Sequence, residues 1–171
     1  MNGFDKSPIN LWHHPYTLQD YNRFMKLNSL LFDSNIPEHV VLTMKPRSDQ
    51  IEDFFLLDEL QRGAIYSEVG TGKSMVSYLY IMSALYQRSK VLVLMPPPLI
   101  PQYRRNFEAI VRGHEFTNDI LVKNIAKRNK KFALWDKGGW PDVLFVSYQM
   151  YLRYSKKFMA AGYGTLVADE A

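Results

Sequence analysis

The sequence predicts an α/β fold in which a parallel sheet is covered by helices on both faces, and three observations predict it. The runs KVLVLM (Lys90 to Met95), DVLFVS (Asp142 to Ser147) and TLVAD (Thr165 to Asp169) are nearly continuous in apolar residues, as strands buried on both sides must be. From Gly63 onward such runs alternate with helical stretches. That is the order of a βα repeat, whose crossovers make the strands parallel and stack the chain in three layers. Finally, 47% of the 171 residues are hydrophobic, enough for one domain with a real core.

In chain order, residues 1–16 mix Pro, Asn, His and aromatics without a period and read as an arm. A helix is predicted over 17–32: Thr17 and Asp20 resemble a capping box, and Leu18, Tyr21, Phe24, Met25, Leu27, Leu31 and Phe32 recur at helical spacing up to the breaker Asn35-Ile36-Pro37. A second helix is predicted from Ser48 to Gln61, with Ile51, Phe54, Phe55, Leu57 and Leu60 on one stripe and Glu52, Asp53 and Glu59 opposite. The strands predicted to follow are 64–67, 90–95, 119–122 (a weak one), 142–147 and 165–169. Helices are predicted near 73–88, 98–111, 124–135 and 148–160. This divides the chain into an N-terminal arm and helix, 1–43, and an α/β lobe, 44–171.

No apolar run approaches the eighteen or so residues of a membrane span, and the N-terminus lacks the basic-then-apolar order of a signal peptide. A cytoplasmic, nucleoid or nuclear setting is expected, with no membrane partner. The absence of cysteine excludes disulfides and thiolate metal sites. His13, His14, His39 and His114 show no ligand spacing. Net charge is +4 and unevenly spread: residues 1–90 carry nine Lys/Arg against ten Asp/Glu, residues 91–171 twelve against seven. The basic second half suits a polyanionic partner, although a solvated basic face has the same composition.

The stretch YSEVGTGKS, Tyr66 to Ser74, follows one predicted strand and leads into the apolar helix MVSYLYIMSALY. A phosphate-binding loop needs small residues so that successive N–H groups face the phosphates, a lysine for the β/γ oxygens and a hydroxyl for magnesium. Gly70, Thr71, Gly72, Lys73 and Ser74 supply them, although Ser67 stands where the strict pattern has its first glycine. The alternative is an exposed Gly-Lys-Ser turn. A nucleotide site also needs an acid at the carboxyl end of a neighbouring strand. In TLVADEA, Asp169 would hold Mg²⁺ and Glu170 would orient and deprotonate the attacking water; otherwise the two acids merely cap a strand end.

The stretches SEVGTGKS, VLVLMPPPLIPQYRRNF, PDVLFVSYQMYLRY and YGTLVADEA resemble, in order and approximate spacing, motifs I, Ia, Ib and II of the first RecA-like lobe of superfamily-two helicases. The closest likeness is to Swi/Snf-like DNA translocases and related viral nucleoside triphosphatases, and it covers about residues 44–171. In the second stretch Pro96, Leu99, Gln102 and Tyr103 fit the family pattern. The resemblance implies a RecA-like P-loop NTPase lobe using ATP and Mg²⁺, with DNA ahead of RNA as its track. It also nominates Gln50, in MKPRSDQIEDFFLL, to recognise adenine, although three residues separate it from Pro46 where family members usually leave a shorter gap; a helix-capping or surface glutamine is the other reading.

By the same resemblance the loops after motifs Ia and Ib track a nucleic-acid backbone, which nominates Arg104 and Arg105, and Arg153, Lys156 and Lys157. Such contacts are sequence-independent and salt-sensitive. A third basic cluster, Lys123, Lys127, Arg128, Lys130 and Lys131, reads more readily as a solvated helix face. Trp135 and Trp140, flanking Gly138-Gly139, are expected to anchor that turn rather than stack on bases. The expected function is therefore the ATP-binding lobe of a DNA-dependent helicase or translocase; an ATP-binding regulatory module without turnover is the alternative. Family members continue beyond this point with a second RecA-like lobe bearing arginine fingers. This lobe, incomplete at its C-terminal end, is thus expected to be inactive without a second lobe from the same or another chain.

Overall fold

A computed structural model of the chain describes residues 41–42, 44, 46–60, 63–65, 72–112, 116–121 and 123–169. All of these belong to the compact unit Ser34–Ala171. The arm and helix expected over residues 1–32 lie outside the described residues.

At the centre is β2 (Lys90–Leu94), with β5 (Val143–Val146) on one side and β6 (Tyr163–Ala168) on the other; β4 (Asn118–Ile120) lies beyond β5. Every pairing in this four-stranded sheet is parallel, with Val93 opposite both Phe145 and Val167. Because side chains alternate, Val91, Val93, Val143 and Phe145 point to one face and Leu92, Leu94, Leu144 and Val146 to the other. All eight are at most 3% exposed. Both faces are therefore covered, as the continuous apolar runs predict.

On the first face lie α2 (Lys73–Tyr86) and α3 (Ile100–Ile110), the latter starting with Pro101 in its first turn. Tyr78, Tyr103 and Phe107 from these helices form an aromatic contact set with Phe145, centroids 5.1–6.1 Å apart. On the second face lie α4 (Ile125–Gly138) and α5 (Tyr148–Ala160), entered through Asn124 and Ser147, whose side chains accept from Lys127 N at 3.0 Å and Met150 N at 3.3 Å. Phe132, Trp135, Phe158 and Tyr163 pack there on Leu92, Leu94, Leu144 and Val146. Each fully buried Leu or Phe contributes roughly 1.5–3 kcal/mol by leaving water.

Trp140 lies 5.1 Å from Trp135 and 5.6 Å from Phe132, and its indole donates to Asp136 Oδ1 at 3.1 Å. Both tryptophans thus tie the Gly138-Gly139 turn to the core. The basic cluster at 123–131 divides. Lys123, Lys127 and Lys130 are exposed, whereas Arg128 is buried, donating to Lys123 O at 3.1 Å with its guanidinium 5.1 Å from the Tyr154 ring centre. Lys131 pairs with Asp119 and donates to Ile120 O at 2.9 Å.

Three details depart from the sequence reading. Ala64 and Ile65 form no strand, and the remainder of the run expected over 64–67 lies outside the described residues. An extended run is stabilised by a ladder partner, and among the described residues β6 pairs only with β2. In α1 (Ser48–Leu60) only Phe54 of the expected stripe is buried; it meets the Tyr80 ring of α2 at 5.5 Å, while Leu60 is exposed. A two-residue antiparallel ladder joins β1 (Val41–Leu42) to β3 (Val111–Arg112), pairs too short to show a period. Among the described residues no helix is long and apolar enough to cross a membrane.

Candidate nucleotide site and nucleic-acid face

A parallel sheet puts the carboxyl ends of all its strands on one edge, the edge at which such folds bind ligands. Here that edge receives Met95 after β2, Ser147 after β5 and Asp169 after β6. Helix α2 opens with Lys73 and Ser74, both half-buried. Its N-cap Gly72 has φ 78° and ψ 34°, left-handed backbone, and its carbonyl accepts from Met75 N at 2.9 Å. Free N–H groups and the positive end of the helix dipole make such a start favourable for phosphate. Gly70, Thr71 and Glu170 lie outside the described residues.

Gln50, 6% exposed, is the residue that α1 sends to this loop. Its Nε2 donates to Gly72 O at 3.2 Å and its Oε1 accepts from Arg47 N at 3.0 Å. The glutamine nominated to read adenine is thus in contact with the end of the phosphate loop, 22 residues away in sequence. Gly72 is doubly constrained, because a Cβ there would run into Gln50 Nε2 as well as strain the positive φ. Replacing Gly72 by Ala should lower the free energy of unfolding by about 1–2 kcal/mol, the cost of left-handed backbone in a residue with a Cβ. Chemical denaturation checks it, and an unchanged midpoint would contradict this geometry.

Asp169 is held by its backbone from two directions: its N–H donates to Leu94 O at 2.9 Å and its carbonyl accepts from Tyr148 Oη at 2.9 Å. Its side chain and that of Ser74 line one cavity of about 160 Å³. A carboxylate and a hydroxyl are the hard oxygen donors that suit Mg²⁺, which otherwise takes waters and substrate phosphates. Among the described residues no group of three or more His, Cys, Asp or Glu could hold a metal by itself. Two protein oxygens completed by phosphate and water therefore fit magnesium, with Ser74 and Asp169 as the residues to hold it.

Tyr78, Gln102, Tyr103 and Asn106 complete the polar lining of the cavity. Burial, reinforced by the Asp169 charge, pushes the Tyr78 hydroxyl up to about 12. Tyr78 was legible only as part of an apolar helix, though its place four residues after Ser74 sets it on the same helical face. Nothing in the sequence links Tyr148 to Asp169, 21 residues on.

The nominated basic residues fall into two states. Helices α3 and α5 follow the adjacent strands β2 and β5, so both start at the same sheet edge, on opposite faces, with Arg105 and Arg153 in their second turns. Arg105, Arg153 and Lys156 are exposed. Arg104 instead donates from Nε to Glu108 at 2.9 Å and Asn118 Oδ1 at 2.7 Å. Lys157 pairs with Asp136 at 2.9 Å, holding that carboxyl below the usual carboxylate range, and lies 4.8 Å from the Phe132 ring centre.

A three-layer parallel α/β lobe, with a glycine-capped helix and an acid meeting at its carboxyl edge, defines a nucleotide-binding class of domain. Within that class, residues 33–171 match the ResIII family, described as type III restriction enzyme, res subunit. The chain belongs to this family, a superfamily-two helicase-like RecA lobe. Among curated proteins, none shows significant similarity to it.

Proposed function

We propose that residues 44–171 form the ATP-binding lobe of a DNA-dependent ATPase of the helicase or translocase type, with residues 1–43 as an appendage. The observation that carries this reading is the meeting of the Lys73-Ser74 helix start with Asp169, Ser74 and Asp169 sharing one cavity. In this reading the loop Gly70-Thr71-Gly72 cradles the phosphates, Lys73 draws on the β/γ oxygens, Ser74 and Asp169 hold Mg²⁺, and Glu170 activates water. Gln50 lies at the adenine side of the loop. A second RecA-like lobe, in the same or another chain, supplies the arginine finger. The likeness of the motif stretches to Swi/Snf-like translocases favours duplex DNA as the track, met in the cytoplasm or nucleus.

Arg104, Arg105, Arg153, Lys156 and Lys157 touch the phosphate backbone in this account. Since Arg104 and Lys157 also hold the fold together, the clean test neutralises the exposed three, Arg105, Arg153 and Lys156, to Gln. Affinity for duplex DNA should fall alike for every sequence, and the slope of log K against log salt should flatten by about 0.9 for each phosphate no longer neutralised. An unchanged slope would make these side chains a solvated face.

A further inference from the structure

Tyr103 stands at the junction of the nucleotide site and α3. Its side chain is 8% exposed, its ring is fixed by Tyr78 at 5.1 Å and Phe145 at 6.1 Å, and its hydroxyl is buried without a hydrogen-bond partner. A buried hydroxyl left unmatched is costly, and such groups are ordinarily satisfied by protein or by ordered water. The same tyrosine lines the cavity that Ser74 and Asp169 line, with Gln102 and Asn106 of α3. At about 160 Å³ that space holds several waters, each needing two to four polar partners, and the lining provides them. Burial pushes the Tyr103 hydroxyl well above its usual range, with the charges of Tyr78 and Asp169 adding and the Ser77 side chain only partly opposing. It therefore stays a neutral O–H, able to donate.

We propose that Tyr103 is a positioning residue for the Mg²⁺-nucleotide site: its hydroxyl donates to water held in the cavity between α2 and α3, and that water hydrogen-bonds the Asp169 carboxylate and fixes the direction in which it faces the metal. This rests on the nucleotide-site reading above. A carboxylate accepts several hydrogen bonds at once, so one oxygen bonded from the α3 side leaves the other for the metal. Partners of this kind tune a metal site strongly, and their loss costs about 10–100-fold in metal affinity. The arrangement also joins the site to α3, the helix that carries Arg105.

The test is Tyr103→Phe, which keeps the ring and its aromatic neighbours and removes only the oxygen. Binding of the non-hydrolysable analogue adenosine β,γ-imidotriphosphate is followed by calorimetry in EDTA and across a Mg²⁺ titration, for wild type and variant. The expected result is equal affinity in EDTA and, for the variant, a Mg²⁺ requirement about tenfold higher. Tyr103→Leu serves as the packing control: removing the ring lowers thermal stability and affinity in EDTA, both of which Tyr103→Phe should leave unchanged. A Mg²⁺ requirement of Tyr103→Phe within about twofold of wild type overturns the proposal while leaving the nucleotide site in place. Failure of the wild type to bind the analogue with or without Mg²⁺ overturns the nucleotide-site reading itself, and the proposal with it.

Discussion

Replacing Lys73 by Ala should weaken ATP binding at least tenfold, about 1.4 kcal/mol. Lys73 opens α2 directly after the left-handed Gly72, so its side chain starts where the helix N–H groups already favour phosphate. The substitution removes a full positive charge and keeps the helix, since Ala is the best helix former. Thermal unfolding should change little while the calorimetric binding constant drops, which separates an effect on the ligand from an effect on the fold. Equal affinity in the mutant would remove the phosphate-loop assignment.

The second large effect is on turnover. Glu170→Gln should slow ATP hydrolysis by about 10²–10⁴, the usual contribution of a positioned general base, while ATP binding persists because the amide fills the same space without taking the proton. The assay requires a protein in which a second lobe is present, since the arginine finger is itself worth roughly 10³–10⁵ in rate. Retained kcat in the variant would transfer the base role elsewhere. Together the two substitutions dissociate binding from chemistry: one weakens the complex, the other traps it.

The layer order was legible because it depends on patterns that sequence carries directly. Continuous apolar runs such as Val91 to Leu94 and Val143 to Val146 can only be doubly covered strands, and both are buried on two faces. The helix between Tyr148 and Ala160 was legible for the same reason, from its period and its Ser147 cap. Less legible was everything decided by a single distant contact. Gln50 carries no local mark of its bond to Gly72, and Tyr148 none of its bond to Asp169. Charge misleads in a similar way, because Arg104, Arg128, Lys131 and Lys157 look like a basic surface in sequence yet each holds a neighbouring element in place. The stripe of α1 overstated its burial, since a helix with one neighbouring helix covers only Phe54 well.

The measurement that reaches the centre of this account is the rate of ATP hydrolysis, with a second lobe present, determined with and without duplex DNA. Duplex DNA should raise the rate at least about tenfold, and the stimulation should fade as salt weakens the phosphate contacts. Hydrolysis that is absent, or that proceeds at one rate whether or not DNA is added, would contradict a DNA-dependent ATPase.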